Sequence, residues 1–367
     1  MDTLTRRDGD DRTREVEARL VLDALPGVGP ATQRRLLERH GSARAALRMG
    51  LRALPRPVGI EAAKAARDPS SWLRARRSLD WARRLGMETV VPGDAAYPQR
   101  LHRLTHPPGV LFLRGRMELL GTPGVAIVGS RKATTRARAV ARRLGSALAR
   151  AGTPVVSGLA LGVDGAAHRG ALEGPGPTVA VLGRGADRSY PRAHSTLFKR
   201  ILDEGLVVSE FPPGTPPAPH HFPRRNRIIA ALCSCLVVVE AGPRSGALIT
   251  VEHALDLGLD VWAVPGPFDE APCLGSNRLL RDGARALVSL DEFLAEVVGP
   301  QEHDVRGPPS NPEQARILTL LEDGPRSADD LARTAGVNVQ RVLAVLAELE
   351  LRGWVERSPG MRFGKAG

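Results

Sequence analysis

Three arginines, Arg224, Arg225 and Arg227, follow Phe222 and Pro223 and stand directly ahead of the apolar run IIAALCSCLVVV. The run reads as a buried helix turn and then a buried strand, so the cations fall where a helix begins. A helix N-terminus carries partial positive charge and favours acids. Cations crowded there are unfavourable unless an anion joins them. Consecutive helical residues point in different directions, so one of Arg224 and Arg225 is expected to turn away from any shared ligand.

Three further segments could do related chemistry. In AIVGSRKATTRARAVARRL a buried strand ends at Gly129 and a helix follows. Gly129 allows close backbone approach, Ser130 offers a hydroxyl and an amide, and Arg131 and Lys132 add charge at a helix start, a natural phosphate site. An ordinary tight turn from strand to helix fits the same residues. In SGLALGVDGAAHRGAL, Ser157 and Gly158 end a strand and would lie beside the first loop if the two strands are neighbours. Asp164 and His168, four apart, share a helix face. They could be an acid–base pair or metal ligands, or a histidine oriented by an aspartate that braces the loop. The brace is favoured, because no third catalytic partner is evident. In EAGPRSGALITVEHA a strand ends at Glu240, and Ser245 and Gly246 form a turn before a helix, suited to an anion or a ribose. Neither GxGxxG nor GxxxxGK[ST] occurs, which disfavours a nicotinamide enzyme or a P-loop ATPase.

These loops need strands to hold them. GVAIVGS, TPVVSG, TVAVLGRG, GLVVSE, CLVVVEA and DVWAVPG are strand candidates, alternating with helical stretches such as RARAVARRLGSALARAG and ALITVEHALDLG. Buried strands alternating with helices predict a mostly parallel sheet in an α/β domain. Ligands of such sheets bind outside the carboxyl ends of the strands, so the four segments should gather on one edge.

The flanks differ in character. Residues 1–14 are charged and expected to be disordered, and 15–85 read as short helices. There, Gly27, Val28 and Gly29 sit between two helical patterns in the outline of a helix-hairpin-helix, and Trp72 and Trp81 are expected core anchors. Residues 86–298 form the α/β domain, and 299–311 form a linker rich in Pro and Gly. Residues 312–367 read as three short amphipathic helices and a small hairpin, the pattern of a winged helix. Ser327 with Asp330 fits a capping box loosely.

Charge is unevenly spread along the 367 residues. The first 120 hold 23 basic and 14 acidic side chains, residues 121–290 hold 20 and 13, and residues 291–367 hold 9 and 13. A positive field over the first two parts favours a polyanion, most often nucleic acid. The acidic tail suits contact with protein, or control of access, better than a grip on a duplex. Cys233 and Cys235 lie in an apolar run and read as small buried hydrophobes. With Cys273 they make no disulfide framework and no zinc spacing. No apolar run approaches the ~20 residues of a membrane span, and the N-terminus lacks a secretory apolar core, so a cytoplasmic location without membrane contact is expected.

Taken together and in order, GSR at 129–131, SGLALGVDGAAH at 157–168, TVAVLGRGADRSYP at 178–191, SEFPPG at 209–214, FPRRNRIIA at 222–230, EAGPRSGALIT at 240–250, AVPG at 263–266 and GSNRLLRDGA at 275–284 resemble the DprA (Smf) family. The resemblance covers about 160 residues. It implies an extended Rossmann-like core, flanked by an N-terminal helical domain of SAM or helix-hairpin-helix type and a C-terminal winged helix. It also implies a non-catalytic protein of natural transformation that binds and protects single-stranded DNA and loads the RecA recombinase. It implies a homodimer through the core domain and no cofactor, and leaves room for a weak double-stranded contact through the N-terminal domain. DNA contact carries over to Ser130, Arg131, Phe222, Asn226 and Arg227. The chain departs from the family at Arg136-Ala137, where Tyr-Gly is frequent, and at Gly258-Leu259, where Gly-Arg is frequent. Pro219, His220 and His221 stand where some members have a lysine.

The mechanism expected on this basis is a cationic groove at the strand ends, lined by Arg131 and the three arginines, with Phe222 stacking on a base. Arg227, Phe222 and Asn226 would form one wall and the Gly129–Arg131 loop the other. Two alternatives remain. Gly246, Thr250 and Glu252 loosely echo the Gly-rich turn, Thr and Glu of Rossmann-like nucleoside-monophosphate phosphoribohydrolases, although the PGGxGTxxE string is absent. A transcription regulator built around the winged helix is the other.

Overall fold

A computed structural model describes residues 2–174, 176–299, 312–322, 324–351, 354–358 and 362–365. Its centre is a nine-stranded sheet. The strands are β1 (Glu88–Val90), β2 (Leu111–Gly115), β3 (Gly124–Val128), β4 (Val155–Ser157), β5 (Thr178–Leu182), β6 (Leu206–Ser209), β7 (Cys233–Val238), β8 (Asp260–Ala263) and β9 (Arg285–Ala286). Their spatial order is β1-β2-β6-β5-β4-β3-β7-β8-β9. From β6 to β9 every pairing is parallel, whereas β2 runs antiparallel to both β1 and β6.

The six expected strands are all present. They were readable because β3 to β6 are buried at every residue; strands covered on both faces become continuous apolar runs. After β3 the chain builds outward through β4, β5 and β6, then returns to lay β7 on the other side of β3. The order therefore reverses at β3/β7, the place where open α/β sheets leave a crevice.

Helices Thr135–Arg150 and Val163–Ala171 pack closely beside this point. Thr134 Oγ1 caps the first by accepting from Ala137 N at 3.1 Å. The contact is backbone to backbone: a methyl on Gly145 would meet Ala167 O at 2.3 Å, and one on Gly170 would meet Arg142 O at 1.9 Å. The cysteines are buried and free, with Cys233 Sγ donating to Ile229 O at 2.9 Å.

The N-terminal helices are Asp2–Asp23, Pro30–His40, Ala43–Ala45, Val58–Arg67 and Pro69–Arg84. Residues 2–14 are thus helical rather than disordered. Arg14 pairs with Asp10 at 2.5 Å along the helix, and Arg12 reaches Asp94 Oδ2 and Thr89 O, each at 2.7 Å. Glu15 accepts from the amides of Ala43 and Arg44 and so closes the next helical turn. Gly27 takes φ +68° between the first two helices, as the Gly-Val-Gly turn requires. Trp72 is half-buried, with Nε1 donating to Ala66 O at 2.8 Å. Trp81, expected in the core, is 40% exposed. Its ring instead covers the turn at Gly214, where a methyl would approach it to 2.4 Å.

The chain divides between Phe293 and Leu294. The expected linker, apart from Gly299, lies outside the described residues. The second unit contains helices Pro312–Leu320, Ala328–Ala335 and Val339–Leu351, with strands β10 (Arg326–Ser327), β11 (Val355–Ser358) and β12 (Arg362–Lys365). The strands form an antiparallel sheet ordered β10-β12-β11. Ser327 Oγ accepts from Asp330 N at 3.1 Å and donates to the Asp330 carboxylate at 2.8 Å, so the shorter acid still makes a cap. Leu331, Val342, Leu346, Leu349 and Phe363 form this unit's own core.

Candidate nucleic-acid interface

A groove of about 710 Å³ opens at the β3/β7 reversal. Its sides are the loop after β3, the loop after β7 and the helix His221–Ala231. Gly129, Ser130, Arg131, Lys132, Ser245 and Gly246, which follow strand ends, line it together with Phe222 and Asn226 of the helix.

Both loops are held in advance of any ligand. Ser130 N donates to Glu240 O at 2.7 Å, and Lys132 N donates to Ser130 Oγ at 3.1 Å. The Glu240 carboxylate accepts from Thr134 N at 3.1 Å and Thr134 Oγ1 at 2.7 Å. Gly162 at φ +78° packs under the loop, where a methyl would lie 2.1 Å from Ser130 O. Asn226 Nδ2 donates to Gly246 O at 3.3 Å and ties the helix to the second loop.

The three arginines of FPRRNR separate. Arg225 is the one that turns inward. Its Nη1 donates to Gly158 O at 2.7 Å and to Val181 O, and its Nε to Asn226 Oδ1 at 2.9 Å. Burial pulls this guanidinium down to about 10. It forms part of the groove's floor while its donors face protein carbonyls.

Arg224 and Arg227 do not line the groove. Both meet the Oε2 atom of Glu210, at 3.0 and 2.7 Å, and Arg224 also pairs with Asp23 at 3.2 Å. Arg227, expected to be a wall of the phosphate site, therefore faces an internal acid. Helical spacing explains the result: Arg224 and Arg227, three apart, share one face, and Asn226 shares another with Phe222, four residues earlier.

Ser157 and Gly158 are also withdrawn. Ser157 is fully buried and its Oγ donates to Ile127 O at 2.6 Å. Gly158 N donates to Asp164 Oδ2 at 3.1 Å while its carbonyl holds Arg225. Asp164 also accepts from Ala160 N at 3.3 Å, so it braces the loop as expected. Leu159 within that loop sits at φ +55°, a costly conformation for a branched side chain. The Asp164 bonds on either side and His194 Nδ1, 3.1 Å from Leu159 O, keep it there. His168 does not join Asp164. Its Nδ1 lies 2.7 Å from Thr178 Oγ1, and burial pulls the imidazole down to about 3.

The cations that remain exposed at the groove are Arg131, Lys132 and Arg244. Arg244 was not anticipated, although a cation inside a Gly-Pro turn at a strand's carboxyl end was the available signal. Arg131 lies over the Phe222 ring, 4.9 Å from its centroid. Asp164, the carboxylate among the described lining residues, is engaged by backbone amides. Thr250 lines the groove, but Glu252 is exposed and lies outside it. Among the described residues no cluster of His, Cys, Asp and Glu could hold a metal, and no helix is long and apolar enough to cross a membrane.

A Rossmann-like sheet with a groove at its reversal point, preceded in the chain by a helical region and followed by a winged helix, is the fold of the class of DNA-processing proteins. The chain belongs to the DprA (Smf) family. Residues 88–298 match the model for DNA recombination-mediator protein A, 301–361 match the DprA winged helix domain and 14–72 match the DprA-like N-terminal HHH domain. Protein Smf of Escherichia coli is 37% identical over 288 residues, covering 74% of this chain and 76% of that protein. Protein Smf of Synechocystis is 34% identical over 314 residues, covering 75% and 79%. The X-ray structure of DNA processing protein A from Streptococcus pneumoniae superposes with a TM-score of 0.62 at 32% identity, covering 78% of this chain and 97% of that one. A structure of the Helicobacter pylori protein, described for its single-stranded DNA binding mode, has a TM-score of 0.53 at 28% identity and covers 58% and 97%.

Proposed function

We propose that the groove binds single-stranded DNA without sequence preference, as the first step of a non-catalytic role in recombination and transformation. The observation that carries this reading is the set Arg131, Lys132 and Arg244, exposed on two pre-held loops around one groove. Phosphates would lie along these cations, and the fixed loops would lose little freedom on binding. The Helicobacter pylori relative, described as binding single-stranded DNA, supports the same polymer here. Transfer of the strand to RecA, and action as a homodimer through the core, extend the proposal on the strength of family membership. The acidic tail is assigned to protein contact or control of access. The phosphoribohydrolase alternative is weakened by the position of Glu252 outside the groove.

The test is binding of labelled oligo-dT and of duplex across a salt series, using the full chain. For single strands, log K falls with log salt by ~0.7 per phosphate neutralised. Arg131→Ala and Arg244→Ala should each weaken binding and reduce the slope by about that amount. Unchanged affinity and slope in both variants would remove the proposal. In a second assay, RecA nucleation on coated single strands should rise with the natural protein and fail to rise with Arg131→Ala. Equal stimulation by both would remove the RecA extension.

A further inference from the structure

The groove leaves a large share of the chain's positive charge unexplained. The first 120 residues hold 23 basic and 14 acidic side chains, yet no residue before Val128 lines it. A second concavity, of about 440 Å³, lies among the N-terminal helices. Its rim carries Arg44, Arg48, Arg52 and Arg67, and Leu47, Leu51 and Trp72 form its floor. Arg44, Arg48 and Arg52 recur every four residues and share one face of the helical turns from Ala43 to Ala53. Ala46–Gly50 among them is a π turn, a form found mostly at functional sites. Among the described residues no Asp or Glu lines the pocket. Arg44 pairs with Asp11, but Arg48, Arg52 and Arg67 are exposed and meet no acceptor among the described residues. Trp72 Nε1 donates to Ala66 O at 2.8 Å, so the indole offers the pocket only ring surface.

We propose that this pocket is a second contact for single-stranded DNA, separate from the groove, with phosphates on Arg48, Arg52 and Arg67 and a base over the floor beside Trp72. The inference rests on the reading that this chain binds single strands. Like charges around an apolar hollow repel one another unless an anion joins them, and the planar fork of arginine matches a phosphate. The floor selects the form of the polymer. A duplex keeps its bases stacked and shows such a hollow only phosphates, whereas a single strand can lay an unstacked base on an aromatic face. The Gly27–Gly29 turn lies outside the pocket's lining, so this contact differs from the phosphate grip of a helix-hairpin-helix.

The experiment compares the full natural chain with Arg48→Ala/Arg52→Ala/Arg67→Ala and with a control, Arg39→Ala/Arg77→Ala/Arg84→Ala, which removes three exposed cations outside the pocket. Binding of oligo-dT and of a duplex of equal length is read across a salt series. On oligo-dT the pocket variant should lose ~2 from the slope of log K against log salt, three contacts at ~0.7 each. It should keep the natural slope on duplex and the natural Tm, since none of the three arginines is paired. The control should keep the natural slope on both. Oligo-dT should also quench Trp72 emission, read as the difference between the natural protein and Trp72→Phe. An unchanged oligo-dT slope, absent quenching, an equal loss in the control or an equal loss on duplex would each overturn the inference. An unchanged oligo-dT slope with loss of poly-glutamate binding would give the pocket to an acidic protein segment instead. If oligo-dT binding depends on Arg131 and Arg244 but not on these three, only this inference fails. If the natural protein does not bind oligo-dT, the proposed function fails with it.

Discussion

Arg227→Ala separates an internal ion pair from a DNA contact. Arg227 Nη2 lies 2.7 Å from Glu210 Oε2, with side-chain exposures of 12% and 2%. Removing one partner of a buried pair costs ~3–5 kcal/mol, because the other charge is left uncompensated. Arg224 remains 3.0 Å from the same oxygen, so the lower end, about 3 kcal/mol, is expected. For the unit Met1–Phe293 that corresponds to a fall in Tm of roughly 5 °C. Chemical denaturation supplies the stability, and oligo-dT binding below the transition supplies the salt slope. The slope should match that of the natural protein, since no phosphate contact is lost. Glu210→Ala should be worse than Arg227→Ala, because it leaves two cations facing each other. The double variant Glu210→Ala/Arg227→Ala should recover part of that loss. A stability change below about 0.5 kcal/mol, the scale of ordinary surface substitutions, together with a slope lowered by ~0.7, would place Arg227 on DNA and refute the reasoning.

Two other outcomes follow from the buried groups around the groove. His168 is held neutral in the fold, with its imidazole down at about 3. The unfolded chain therefore gains protons that the fold cannot accept, and stability falls as pH drops through the ordinary histidine range near 6.5. At pH 5 the contribution is about 2 kcal/mol. Denaturation midpoints at pH 7 and pH 5 should show the loss, and His168→Gln should flatten it; an identical pH dependence in that variant would exclude His168 as the source. Gly158→Ala would place a methyl 2.0 Å from the Arg225 guanidinium, which cannot swing aside without leaving Gly158 O and Val181 O. Overpacking and broken buried bonds together should cost about 3–5 kcal/mol. A loss under about 1 kcal/mol in urea denaturation would show that the helix yields more easily.

The parts legible in the sequence are those set by local pattern. Strands buried on both faces announce themselves as apolar runs, and glycine, serine and cation at their ends mark the sheet edge. β1 and β9 are too short, at three and two residues, to show a period. The sorting of the arginines was not legible either, because it depends on partners brought in by the fold. Arg225 answers to carbonyls 67 and 44 residues away, and Arg227 to an acid 17 residues away. Charge counts as binding potential only after such internal acids and carbonyls have been subtracted. Of the residues to which the resemblance carries DNA contact, Ser130, Arg131, Phe222 and Asn226 line the groove and Arg227 does not, whereas Arg244 needed the loop geometry. Trp81 shows the same limit: an aromatic at helical spacing can as well cover a turn as fill a core.

The sheet's borders bear on how this chain meets its own kind. β1 offers three residues and β9 two, and on β9 the Arg285 guanidinium lies 4.2 Å over the Trp262 ring. Long flat borders recruit strands from other molecules, and short borders carrying charge discourage this. Neither border gives a second copy room for a ladder of more than two or three residues. Strand pairing between copies at these two borders is therefore disfavoured. Under the proposed function, copies crowded along one DNA strand would meet without pairing at these borders.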